Sequence, residues 1–270
     1  MTGAIPHRHQ AVEPSFFRLL LLEAKSTVCP RHLVLLTLLV MTGVLLARWL
    51  PTWPETVYRF FNTVFHIEGW ANVVIVNNYT ALMFFLYWFG LFDVLRIYVQ
   101  PLEMGYLDIW LSKPVSRASY MLAKIIPAFA VLLGIGVIAA AVHAVAMVAF
   151  GLTFDQAAYS GTIASILGLL MLLLGLTNVL LLFTRDSFAA LVIGFAIFMI
   201  SFLPSIVYMY RPDTYAGAPG LAEIIVFPAN LMWHPDFAAA YGPWIGGIFI
   251  ILAAASIGFA GQLLDRRDIG

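Results

Sequence analysis

Charge is what this 270-residue chain has least of. Asp, Glu, Lys and Arg make up 10% of it, against about 25% in an average soluble domain. Fourteen basic residues balance fourteen acidic ones, and zero net charge leaves no basic field for a nucleic-acid partner. Cysteine is nearly missing: the single Cys29 has no partner for an internal disulfide and fits no zinc-ligand spacing. No stretch reads G-x-x-x-x-G-K-[ST], so the chain has no P-loop in which to cradle ATP phosphates. Within the long apolar runs the charged residues are Arg48 and Asp93. Both lie near the ends of their runs, where a side chain is expected to reach back to water. Buried charge of the kind that couples ions to transport is therefore scarce, which disfavours a secondary carrier.

Apolar side chains fill the space that charge leaves. They amount to 62% of the chain, 14% of it aromatic, and the mean hydropathy is +0.94. The composition is that of an all-α integral membrane protein. A hydrocarbon core about 30 Å thick takes about 20 apolar residues per helix, and six runs qualify, over 32–50, 72–95, 125–150, 161–183, 187–210 and 242–264. Together they predict one transmembrane domain over residues 1–270. No small-residue cleavage site follows the first run, which is expected to remain as a membrane helix.

The connections carry the remaining signals. Residues 15–28 read as a helix lying along the membrane surface, with Arg18 and Lys25 sharing a face and Pro30 turning the chain into the bilayer. Thr52-Trp53-Pro54-Glu55 reads as a capping box that opens an amphipathic helix, on which Glu55, Arg59, Asn62 and His66 form one polar stripe. Thr184-Arg185-Asp186 leaves only a tight turn between the fourth and fifth runs. The long segment 211–241 holds two apolar stretches, Leu221–Val226 and Ala229–Trp233, broken by Pro228 and too short to cross. With both termini on the cytoplasmic side, eleven of the fourteen Lys and Arg residues lie inside and Arg48, Arg59 and Arg211 outside. The positive-inside rule selects that orientation.

One polar connection, Gln100 to Lys124, has residue types that look chosen. Gly105 and Pro114 bracket a short run in which Leu107, Trp110 and Leu111 share a helical face. Acidic Glu103 and Asp108 come near its start, and basic Lys113, Arg117 and Lys124 follow, which suits the helix dipole. Glu103-x-Gly105-Tyr106-Leu107, then Leu111-x-Lys113-Pro114-Val115-x-Arg117, then Tyr120 and Lys124, resembles the loop after the second membrane helix in permease subunits of ABC transporters of the type-2 export family.

The resemblance implies that this loop is a coupling helix docking on a separate ATPase subunit. Glu103, Gly105, Tyr106, Leu107, Leu111, Pro114 and Arg117 would make that contact, and ATP and Mg²⁺ would be bound by the partner, with no cofactor in this chain. It further implies a permease that pairs with a second copy or a related chain, sits in the cytoplasmic membrane among lipid, and exports its substrate. The broken segment after the fifth helix would cap the outer end of the path.

Other polar residues within the spans are fewer. Asn77 and Asn78 are candidates for lining a translocation path or for bonding across helices. His143 reads as a polar residue facing another helix, and a redox or quinone-reactive protein would need it to find a second histidine from elsewhere in the fold. Small residues recur at Gly134 and Gly136, Gly168 and Gly175, Gly246 and Gly247, and Gly258 and Gly261. Each permits close helix contact, and the sequence does not rank them.

Overall fold

The computed structural model describes residues 16–105, 116–184, 186–209, 220, 224 and 228–266, and the regular structure among them is helical. In chain order the longer helices are α1 Phe16–Thr27, α2 Pro30–Trp49, α3 Glu55–Phe65, α4 Trp70–Val94, α5 Arg117–Ala149, α6 Gln156–Leu181, α7 Ser187–Met209 and α8 Pro235–Arg266. Five stretches are long and apolar enough to cross a membrane: Pro30–Thr52, Trp70–Ile97, Arg117–Ala149, Gln156–Leu181 and Pro235–Arg266. A shorter apolar stretch, Ser187–Phe202, belongs to α7. Large side chains such as Val145, Ile200, Ile251 and Trp244 are exposed along these helices. On a soluble protein they would make an untenable apolar patch; in a bilayer they face acyl chains.

Caps rather than hydropathy decide where the helices begin. α5 starts at Arg117, eight residues before its apolar run, because the Ser116 hydroxyl accepts the Ser119 N–H at 3.1 Å. Asp155 opens α6 at Gln156 by accepting the N–H groups of Ala157 and Ala158 at 2.8 and 3.0 Å. Asp186 does the same for α7 with Phe188 and Ala189. α8 begins at Pro235, with proline in the first turn, so 235–241 is helix and not part of a broken segment. Before it, Pro228–Trp233 forms a short 3-10 helix; most of 211–227 lies outside the described residues.

The expected capping box at Thr52 does not form. Thr52 ends a 3-10 turn, its hydroxyl bonded to the Trp49 carbonyl at 2.7 Å, and Pro54 occupies the cap position of α3 without a side-chain bond. Proline has already fixed the entry angle, leaving threonine nothing to cap. Arg59 and Glu55 pair at 2.9 Å on the exposed side as the stripe predicts. His66 falls past the helix end instead, in the left-handed conformation with φ 52°. Beyond it the Tyr58 hydroxyl accepts the Gly69 N–H at 2.8 Å and its ring lies 5.3 Å from that of Trp70, so α3 is fastened to the start of α4.

The most intimate packing in the molecule joins α6 to α8, and it settles which small residues matter. A Cβ at Gly161 would lie 1.9 Å from the Ala238 carbonyl oxygen, one at Gly168 2.5 Å from that of Gly246, and one at Gly175 3.2 Å from that of Ala253. The three glycines recur every seventh residue, which holds one stripe toward the neighbour. Both sets of contacts advance in the same direction, so the two helices run parallel. Ser165 donates across the seam to the Gly242 carbonyl at 2.9 Å. Gly134, Gly247 and Gly258, by contrast, face open space. On the other side of the core Tyr87 of α4 donates to the Gly194 carbonyl of α7 at 2.8 Å and lies 3.2 Å from Thr177 of α6, tying three helices at one buried hydroxyl.

Candidate functional site

The helices alternate in direction, and the C-terminal ends of α4, α6 and α8 meet the N-terminal ends of α2, α5 and α7 where α1 lies. At this α1 end the chain departs from regular geometry. α4 runs into a π turn over Leu95–Val99 and then a single α turn, Gln100–Glu103. Pro101 explains the widening: it has no N–H for the Ile97 carbonyl, and its ring would strike that carbonyl in an ordinary helix. Gly105 follows with φ +70°, a conformation that favours glycine, and nothing occupies the space where a Cβ would stand.

Glu103 and the start of α5 are each tied to another helix. The Glu103 carboxylate accepts the Ser187 hydroxyl of α7 at 2.5 Å. The Asp265 carboxylate, at the end of α8, accepts the Ala118 N–H at 2.9 Å, filling one of the open donors of the first turn of α5. The two flanks of the 106–115 connection are thus bonded to α7 and to α8. Glu103 is exposed and Arg117 partly so, at the first position of α5. Tyr106, Leu107, Leu111 and Pro114 lie outside the described residues.

A charged cluster sits just inside this end, and here the sequence expectation fails. Asp93 does not reach back to water: it is 2% exposed, with one carboxylate oxygen 2.5 Å from Arg31 Nη2 and the other 3.0 Å from His32 Nε2. An aspartate has too short a stem to escape a packed helix interface, so it is neutralised where it lies. On its other ring nitrogen His32 accepts the Cys29 N–H at 3.4 Å and lies 3.2 Å from the Cys29 sulfur. This arrangement makes Cys29 and His32 reciprocal caps of α2. Nearby, Lys124 of α5 bonds Glu23 of α1 at 3.0 Å and lies over the Tyr120 ring. Sequence reasoning passed over this cluster. Its signal was polar residues at the meeting ends of two consecutive spans, with His32 three positions after Cys29.

The two asparagines have different surroundings. Asn78 is buried, its amide 3.5 Å from the Tyr159 hydroxyl, while His143 Nδ1 lies 3.0 Å from that same hydroxyl. His143 is accordingly a helix-facing polar residue, though its Nε2 is buried without a partner. Asn77 donates to the Val73 carbonyl of its own helix at 2.8 Å and lines a groove of about 410 Å³. Thr42 and Thr80 share that groove with Phe84, Phe85, Phe198 and Phe202. Among the described residues no three His, Cys, Asp or Glu side chains gather in a way that would hold a metal ion.

Residues 99–217 match the family model described as ABC-2 family transporter protein. No curated protein matches the chain. The matched region begins within the π turn and takes in Glu103, Gly105, Arg117 and Ser187, so it contains the irregular end of α4 and the tie to α7. Over that region the chain is similar to ABC-2 family transporters, and its long apolar helices are those of a multi-pass membrane protein.

Proposed function

We propose that the chain is the membrane subunit of an ATP-driven exporter, with six membrane helices, a coupling helix over 106–111 and no catalysis of its own. ATP and Mg²⁺ belong to a separate ATP-binding-cassette subunit. A second copy or a related permease completes the path, and the α1 end faces the cytoplasm. The observation that carries this reading is the pair of ties flanking the connection: a displacement of 106–115 pulls on α7 through Glu103 and Ser187, and on α8 through Ala118 and Asp265. A docked partner can move the membrane helices only if its contacts differ between nucleotide states, and these bonds give such a difference somewhere to go. Leu107 supplies the apolar anchor, Leu111 and Tyr106 its neighbours, and Gly105 and Pro114 the ends of the coupling helix. Arg117 adds a charged contact.

The groove lined by Asn77 is the candidate translocation path in this reading; Asn78, bonded toward Tyr159, serves the helix packing. Leu107→Asp separates the proposal from its competitors. Co-purification with the ATP-binding-cassette subunit should be lost, and permease-stimulated ATP hydrolysis with it, while the variant still extracts as a folded membrane protein. Undiminished co-purification and stimulation would remove the docking assignment. Glu103→Lys is the less specific test, because it also breaks the bond to Ser187.

A further inference from the structure

A cavity of about 340 Å³ opens at the α1 end among α1, the start of α2, the π turn and the first turns of α5. Arg31, Arg96 and Lys124 line it against one acid, Glu23, and Cys29, Tyr120 and Pro101 complete much of the wall. Glu23 is already engaged, by Lys124 at 3.0 Å and by the Ser26 hydroxyl at 3.4 Å. Asp93 lies behind the wall and is closed off by Arg31 and His32. What the cavity offers a ligand is therefore cationic: the Arg96 guanidinium, which is exposed, and the Arg31 Nε–H, buried without an acceptor although Nη2 of the same side chain is bonded. A buried donor without an acceptor is costly, and an anionic oxygen would relieve it.

We propose that this cavity binds the phosphate of an anionic lipid headgroup. Guanidinium groups suit phosphate because their fork of donors matches two of its oxygens. The surroundings favour a lipid over a dissolved phosphate. Phe17, Leu21 and Leu22 of α1, Val28 in the link after it and Leu33 of α2 are exposed on the same segments that supply Glu23, Cys29 and Arg31 to the cavity wall. An apolar rim of this kind, at the level where the membrane helices end, belongs in the zone where headgroups meet acyl chains. A bound headgroup would bridge α1, α2 and the π turn, holding the surface helix against the end of α4. The inference is independent of whether the protein transports anything.

Cys29 is the chain's single cysteine and part of the cavity wall, so its alkylation reports occupancy directly. The full-length protein is placed in nanodiscs of phosphatidylcholine alone or mixed with phosphatidylglycerol, and the rate of N-ethylmaleimide labelling is followed by mass spectrometry. Phosphatidylglycerol should slow labelling of the wild type about fivefold, the contribution of roughly one basic side chain near an anionic surface. Arg96→Ala should lose most of that protection. Since Arg96 is exposed, this variant keeps the fold, and its thermal unfolding in the same discs checks that it does. The lower pH at an anionic surface slows both proteins alike, so the difference between them isolates the site. Inorganic phosphate added to phosphatidylcholine discs should not protect. Equal rates in the two lipids, or undiminished protection in Arg96→Ala, would overturn the proposal; protection by inorganic phosphate alone would reassign the site to a soluble anion and overturn the lipid.

Discussion

His32 and Asp93 hold each other in place where neither has an alternative partner in water. Replacing His32 by leucine leaves the buried carboxylate on Arg31 alone, and losing a hydrogen bond to a charged group costs about 1.5–3 kcal/mol. The His32→Leu variant should therefore unfold at a markedly lower temperature in detergent. The double replacement His32→Leu with Asp93→Leu should be less damaging than the sum of the two single changes, because the His32–Asp93 contact is lost only once; additive losses in that double-mutant cycle would show that the two side chains do not interact. Of this cluster the sequence showed the residue types but not their meeting. Sixty-one positions separate His32 from Asp93, and an acid near the end of an apolar run looks the same whether it reaches water or a neighbour. Asn77 and Asn78 pose the same problem. Adjacent on one helix, they point about 100° apart, and only the neighbouring helices decide which is core and which is groove.

The α6–α8 seam belongs to the element scale, where backbone meets backbone. Gly168→Leu drives a side chain into the Gly246 backbone, which has no rotamer through which to yield, so the two helices must separate. The protein should fail to give a monodisperse peak on size exclusion. Gly258→Leu, placed where nothing lies within contact distance, should behave as wild type; if both variants behave alike, the seam is not where these glycines put it. Seven-residue spacing of Gly161, Gly168 and Gly175 was present in the sequence. The partner was not, since other glycines of the same spans, Gly247 and Gly258 among them, are free of close contacts. A second element-level expectation concerns the tie between α7 and the end of the π turn. Ser187→Ala removes one hydrogen bond to a charged group, worth about 1.5–3 kcal/mol at most, and an exposed site returns less than that. Under the proposed function its effect should appear in transport per ATP hydrolysed while ATPase binding is retained, which separates transmission from docking.

For the whole molecule the orientation is the property most open to test. In a Cys29→Ser background, cysteines placed at Arg59 and at Arg117 should divide: a membrane-impermeant maleimide added to intact cells labels position 59 and reaches position 117 only after the membrane is opened. Labelling of position 117 in intact cells would place the coupling segment on the wrong side of the bilayer for an ATPase and end the proposed function. The prediction rests on where Lys and Arg accumulate, a tendency strong over short loops, and on the structure's gathering of α1, Glu103, Ser116 and Asp265 at a single end.

By itself the sequence determined that this is a helical membrane protein, roughly where its apolar runs lie, and that the connection after the second run resembles a docking loop. Those follow from local rules: apolar length must match bilayer thickness, and proline and glycine punctuate the chain wherever they occur. Only the tertiary structure decided that α5 and α8 extend well beyond their apolar runs, that Asp93 is buried in an ion cluster, and which glycines touch a neighbour. The physical reason is common to all three. Hydropathy records a residue's preference for water or lipid, whereas a cap, an ion pair or a backbone contact depends on a second group brought near by packing, and in a chain this uniformly apolar many packings satisfy the first criterion equally well.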